Sequence, residues 1–180
     1  MNNLIRERKG MLILSLLVIL LPLGVGLFLW NQLPDQVPIH FGLNGQADNY
    51  AGKAFVVFGL PLLMAALQVL LLVVTMADPK GKNIAAKPFG LLLWICPLVS
   101  LFCGTMTYAK ALALPVDINL VGGLFLGLMF LVVGNYLPKC KQTYTVGIRL
   151  PWTLADEDNW AYTHRLAGKV WTIGGLVILA

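Results

Sequence analysis

The sequence predicts an all-α integral membrane protein, a polytopic helical bundle with four complete transmembrane helices and part of a fifth. Residues 11–30, 54–76, 89–108 and 120–136 are long apolar stretches without a single Asp, Glu, Lys, Arg or His. Each reaches or approaches the roughly 20 residues an α-helix needs to cross a hydrocarbon core about 30 Å thick. In lipid the backbone must satisfy its own hydrogen bonds, so stretches of this kind span as helices. Composition agrees, with 58% hydrophobic and 12% charged residues over a chain of 180. The basic residues also segregate between alternate loops, as expected of a multi-pass chain.

Arg6, Arg8 and Lys9 precede the first span, Lys80, Lys82 and Lys87 follow the second, and Lys139, Lys141, Arg149, Arg165 and Lys169 follow the fourth. Only Lys53 and Lys110 fall on the other side. The positive-inside rule then makes the N-terminus and residues 138–169 cytoplasmic and residues 31–53 external. The first apolar run is longer than the roughly 7–15 residues of a signal-peptide core and is expected to remain as a span. The net charge of +5 sits beside helix ends, where anionic lipid explains it better than nucleic acid.

In the external loop, Pro34 and Pro38 hold the chain extended, and Asn44-Gly45 signals a tight turn because both residues tolerate positive φ. Ile39, Phe41 and Leu43 alternate with His40 and Gly42, which suggests a short extended piece with one face on the membrane surface or the helix ends. Two readings follow. The loop is either a recognition surface carrying His40, Asn44, Gly45, Asp48 and Tyr50, or a connector in which Asp48 and Asn49 cap the second helix and Lys53 snorkels. His40 and Asp48 lack a third ligand for a metal site.

Within the spans, Pro22, Pro61 and Pro97 predict kinks, and Gln68 is the one amide near mid-membrane, expected as glue between helices. Gly123 and Gly127 form a small-xxx-small pair for close helix packing in the fourth span. Cys96 and Cys103 share a helix about 10 Å apart along its axis, too far to bond, so free thiols are expected and no cofactor is implied.

After the fourth span, Leu150-Pro151 breaks helix, and Thr153 or Asp156 can cap a shorter interfacial one. Along it Trp160, Thr163 or His164, Ala167 and Trp171 recur on one face, suited to the headgroup region. Residues 170–180 are too short to cross alone and are expected to begin a fifth span that the chain ends within. The alternative reading of this loop makes Arg149, Trp152, Trp160, His164 and Arg165 a docking surface for a cytosolic protein. No ionisable group at depth supports a transporter, and no nucleophile pairs with His164, so neither transport nor an enzyme is favoured.

The two loops together resemble the SdpI family of bacterial membrane proteins. LPDQVPIHFGLNGQADNYAGK is similar to the domain of unknown function at the N-terminus of many members. Residues 134–139, 147–152, Trp160 and 163–165 match the family's C-terminal hallmark. A single transmembrane domain over residues 1–180 is expected, with an N-terminal two-helix unit over 1–76 and an SdpI-like unit over 88–180. The resemblance implies immunity to an extracellular peptide toxin and recruitment of a cytosolic repressor to the membrane; the rival reading, outside the resemblance, is a small-molecule transporter or transporter-associated subunit. The predicted orientation has a direct check. Gln46→Cys in a Cys-free background should react with a membrane-impermeant thiol reagent in intact cells; labelling only after the membrane is breached means the orientation is inverted.

Overall fold

The computed structural model describes residues 6–42 and 44–180. It contains α1 (Lys9–Phe28), strands β1 (Gln36–Phe41) and β2 (Ala47–Gly52), α2 (Leu60–Met76), α3 (Ala86–Ala111), α4 (Ile118–Tyr136), α5 (Pro151–Ala155) and α6 (Glu157–Leu179). Four helical segments are long and apolar enough to cross a membrane: Lys9–Phe28, Phe55–Met76, Ala86–Ala111 and Ile118–Lys139. Their outward residues are themselves apolar, as Leu17, Val73 and Leu128 show, each more than half exposed. Such a surface is stable only against lipid, and the protein is a polytopic helical membrane protein.

The chain groups into two compact units, each built from non-contiguous pieces. Residues 9–69 join 93–122, and residues 70–92 join 123–180.

In the first unit, α1 and α3 meet at Pro22. Two carbonyls on this stretch of α1 accept side-chain hydroxyls from α3. Ser100 Oγ donates to the Ile19 carbonyl at 2.9 Å, and Tyr108 Oη to the Pro22 carbonyl at 2.9 Å. Gly104 makes room for the proline ring, since a Cβ there would stand 2.7 Å from Pro22 Cβ. The turn before Pro61, Phe55–Gly59, opens into a π-helix, with the Leu60 N–H bonding the Phe55 carbonyl.

Residues 36–52 form an antiparallel hairpin, the one β element among the described residues. Gln36 pairs with Gly52 and Phe41 with Ala47, with irregular register around His40. Asp48 and Asn49 therefore lie in β2 and do not cap a helix. Val37 is fully buried in a cluster with Leu33, Val56, Val57 and Tyr108, against which Ile39 packs. The extended piece thus exists and lies on helix ends, while Leu43 falls outside the described residues. Lys53 closes the hairpin, 3.4 Å from the Asp35 carboxylate and 5.0 Å above the Trp30 ring.

In the second unit, α4 and α6 run antiparallel with glycines face to face. Gly127 meets Gly175, and Gly134 meets Gly168: a Cβ on Gly175 would stand 2.8 Å from the Gly127 carbonyl, and one on Gly168 2.8 Å from the Gly134 carbonyl. The expected pair was Gly123 and Gly127, but Gly123 has open space and the close contacts recur instead at Gly134. The helix expected from Asp156 and the last apolar run are one continuous helix, α6, and the short helix, α5, lies before it. Gly134→Val should lower the midpoint of thermal unfolding in detergent, at a cost of about 1–3 kcal/mol for overpacking, while Gly123→Val should leave it unchanged. Equal effects would remove the glycine contact as the source of the packing.

Candidate functional site

Residues 140–150 run without helix or strand, so their backbone groups depend on side chains for partners. Asp78, in the turn after α2, supplies the first set. One carboxylate oxygen accepts from the Lys80 N–H at 2.8 Å, and the other from the Tyr144 N–H at 2.9 Å and Thr145 Oγ1 at 2.7 Å. Gln142 supplies the second. Its Nε2 donates to the carbonyls of Thr153 and Leu154 at 2.9 and 3.0 Å, its Oε1 accepts from Lys80 Nζ, and its own carbonyl accepts from Asn83 Nδ2 at 3.0 Å.

Thr153 holds the turn into α5. Its hydroxyl accepts from the Leu150 N–H at 2.9 Å and donates to the Ile148 carbonyl at 2.8 Å. Pro151 opens α5, where its missing N–H costs nothing. Asp156 then caps α6 by accepting from the N–H groups of Asp158 and Asn159, at 2.7 and 3.3 Å. Of the two caps the sequence offered, Asp156 caps α6 while Thr153 holds the turn before it; Asp78 and Gln142 were missed. One signal was available for Asp78, the only carboxylate among the three lysines of residues 77–88.

Trp160 and His164 stack on one another, with ring centroids 4.1 Å apart, and are buried to 2% and 0% exposure. They support the loop from beneath and are not part of an accessible surface, which corrects their expected place in a docking face. Trp160 Nε1 donates to the Cys140 carbonyl at 2.8 Å. His164 bonds the Trp160 carbonyl through Nδ1 at 2.8 Å and accepts the Ile148 N–H on Nε2 at 2.9 Å. A carbonyl can only accept, so Nδ1 carries the proton and the ring is neutral. Gly147 lies directly over both rings at φ +117, and a Cβ there would stand 2.5 Å from His164 Nε2. Glycine is required twice, by φ and by space.

Arg149, Trp152 and Arg165 are exposed. Arg149 Nη1 donates to the Tyr144 carbonyl at 3.0 Å, which turns part of its guanidinium toward the loop. Trp171 stacks on Phe130 at 4.7 Å. In the hairpin, His40 Nδ1 and Asp48 Oδ1 lie 2.5 Å apart, and Asn44 Oδ1 accepts the Gln46 N–H at 3.0 Å. Gly45 alone of the Asn44-Gly45 pair takes positive φ, at +71. Tyr50 is exposed and its backbone pairs with Pro38. Gln68 is fully buried, yet neither Oε1 nor Nε2 has a partner among the described residues, so the expected hydrogen bond between helices is not formed.

Burial pushes the His164 imidazole below its ordinary value of 6.5, outweighing the raising effect of the Trp160 carbonyl. The unfolded chain therefore binds the second proton more readily than the folded one. Stability contributed here is complete above pH 6.5 and drains as pH falls below it. Protonating Nε2 would also set two donors against each other at Ile148. Hydrogen exchange of the Ile148 amide, corrected for intrinsic rates, should show less protection at pH 5.5 than at 7.5. A protection factor independent of pH would remove His164 as the group that holds this turn.

Two family models match the chain: the domain of unknown function DUF1648 over residues 17–65 and the SdpI/YfhL protein family over residues 139–180. The first covers the hairpin, the second the loop and α6. The chain is also 27% identical over 170 residues to the immunity protein SdpI of Bacillus subtilis (strain 168), covering 92% of this chain and 78% of that protein. No solved structure matches it. Gly147, Trp160 and His164, which hold one another in place, all fall inside the SdpI/YfhL match, so this loop and α6 are similar to the SdpI/YfhL family, as the hairpin region is to DUF1648.

Proposed function

We propose that the protein confers immunity on the cell that makes it, acting in the bacterial plasma membrane against an extracellular peptide toxin. The observation that carries this reading is the likeness to the immunity protein SdpI along 92% of the chain. In the proposed orientation the N-terminus is cytoplasmic and the hairpin is external, because the basic residues favour that arrangement. Three candidate spans separate the hairpin from residues 138–169, so in this proposed orientation that loop is cytoplasmic.

The hairpin is the proposed sensor. Gly45 turns the chain at positive φ, and the hairpin presents His40 and Asp48 as a bonded pair together with the exposed Tyr50. The loop over residues 138–169 is the proposed docking surface for a cytosolic repressor. Arg149, Trp152 and Arg165 are its accessible groups, with Trp160 and His164 holding the backbone behind them.

Toxin protection in a sensitive host, normalised to inserted protein, tests the sensor. Gly45→Val should abolish protection by forcing a branched residue into positive φ, and His40→Ala and Asp48→Ala should each weaken it. Full protection by all three variants would exclude the hairpin. For the docking surface, a repressor should co-purify with the wild-type protein and be lost on Arg149→Ala or Trp152→Ala at equal membrane abundance. Retention in both variants would leave these residues as interfacial anchors alone.

A further inference from the structure

Two adjoining hollows lie where α4 and α6 emerge from the apolar region. The first, about 500 Å³, is a mostly apolar groove lined by Gly134, Pro138, Gly168, Thr172 and Ile173, with Lys139 and Lys169 also on its wall. The second, about 530 Å³, is lined by Lys139, Lys141 and Arg165, with Glu157 as its one carboxylate. Pro138 and Lys139 belong to both, so one opens beside the other.

The charges are unbalanced. Among the described residues the ion pairs are His40 with Asp48 and Lys53 with Asp35, and none involves Lys139, Lys141, Arg165 or Lys169. Lys139 Nζ makes a neutral contact only, with Asn135 Oδ1 at 3.2 Å, and sits 5.0 Å from the Tyr136 ring centroid. Three cations around one hollow repel each other unless an anion joins them, and a guanidinium beside two ammonium groups suits a phosphate. A soluble phosphate has no use for the apolar groove, and a neutral lipid has none for the cations. An amphiphile with an anionic head uses both.

We propose that this double hollow is a binding site for an anionic glycerophospholipid. Its phosphate is held by Lys139, Lys141 and Arg165, and one acyl chain lies along the Gly134, Gly168 and Ile173 groove. The site shares Arg165 with the proposed docking surface but does not rest on the immunity reading, since it is argued from this geometry and from the bilayer around it.

The test uses the full chain in nonionic detergent, titrated with dioleoyl phosphatidylglycerol or dioleoyl phosphatidylcholine and read by native mass spectrometry. Phosphatidylglycerol should bind at least about tenfold more tightly than phosphatidylcholine, an advantage lost in Lys141→Gln/Arg165→Gln. Lys82→Gln/Lys87→Gln, which removes the same charge at and just before the start of α3, should bind like the wild type. Ile173→Trp, a change at an exposed position, should fill the groove and weaken phosphatidylglycerol binding with every cation in place. Equal binding of the two lipids would overturn the proposal, as would equal losses in the two double variants. Displacement of the lipid by an equal concentration of glycerol 3-phosphate would also overturn it, since the site would then be one for free phosphate.

Discussion

Backbone groups removed from water must find partners, and residues 140–150 have no helix or sheet to provide them. The structure answers with side chains buried for that purpose. Asp78, Gln142, Thr153, Trp160 and His164 are all below one-tenth exposed, and each bonds the backbone of this loop or of the turn that follows it. Leaving one such group unpaired costs about 1–3 kcal/mol, so no member can be lost cheaply. The same requirement explains why a glycine stands at position 147. The Ile148 N–H reaches the imidazole only because no Cβ intervenes.

The helices face a different problem, because lipid is as apolar as leucine and gives no reason for one span to leave it for another. Close backbone approach and hydrogen bonds to carbonyls substitute for the missing drive. Gly127 and Gly134 on α4 meet Gly175 and Gly168 on α6, and around Pro22 the hydroxyls of Ser100 and Tyr108 cross from α3 to the carbonyls of α1. The carbonyls of Ile19 and Pro22 thereby join α1 to α3.

These arrangements separate residues that hold from residues that present. Trp160 and His164 belong to the family-matched segment, yet they are interior, and their part in any docking is to keep Ile148 and Cys140 in place. Arg149, Trp152 and Arg165 come from the same segment and are exposed. In the hairpin the division follows strand alternation only in part, with Val37 buried and His40 and Tyr50 exposed, since the register is irregular near His40.

The four spans, the turn at Gly45 and the cap at Asp156 were legible in the sequence, because each depends on residues near in the chain: apolar runs, a glycine free to take positive φ, a carboxylate before a helix. The second strand was not legible, since a strand exists only by pairing with another. Nor was the union of the last two helical segments into α6, where nothing in Glu157–Leu179 breaks the backbone although its character changes from polar to apolar. The partners of Asp78 and Gln142 lie up to 67 residues away, and local pattern carries no distance of that kind. Which glycine of α4 meets another helix depends on where α6 runs. Tertiary packing settled that in favour of Gly127 and Gly134, since only there do two backbones come too close for a side chain.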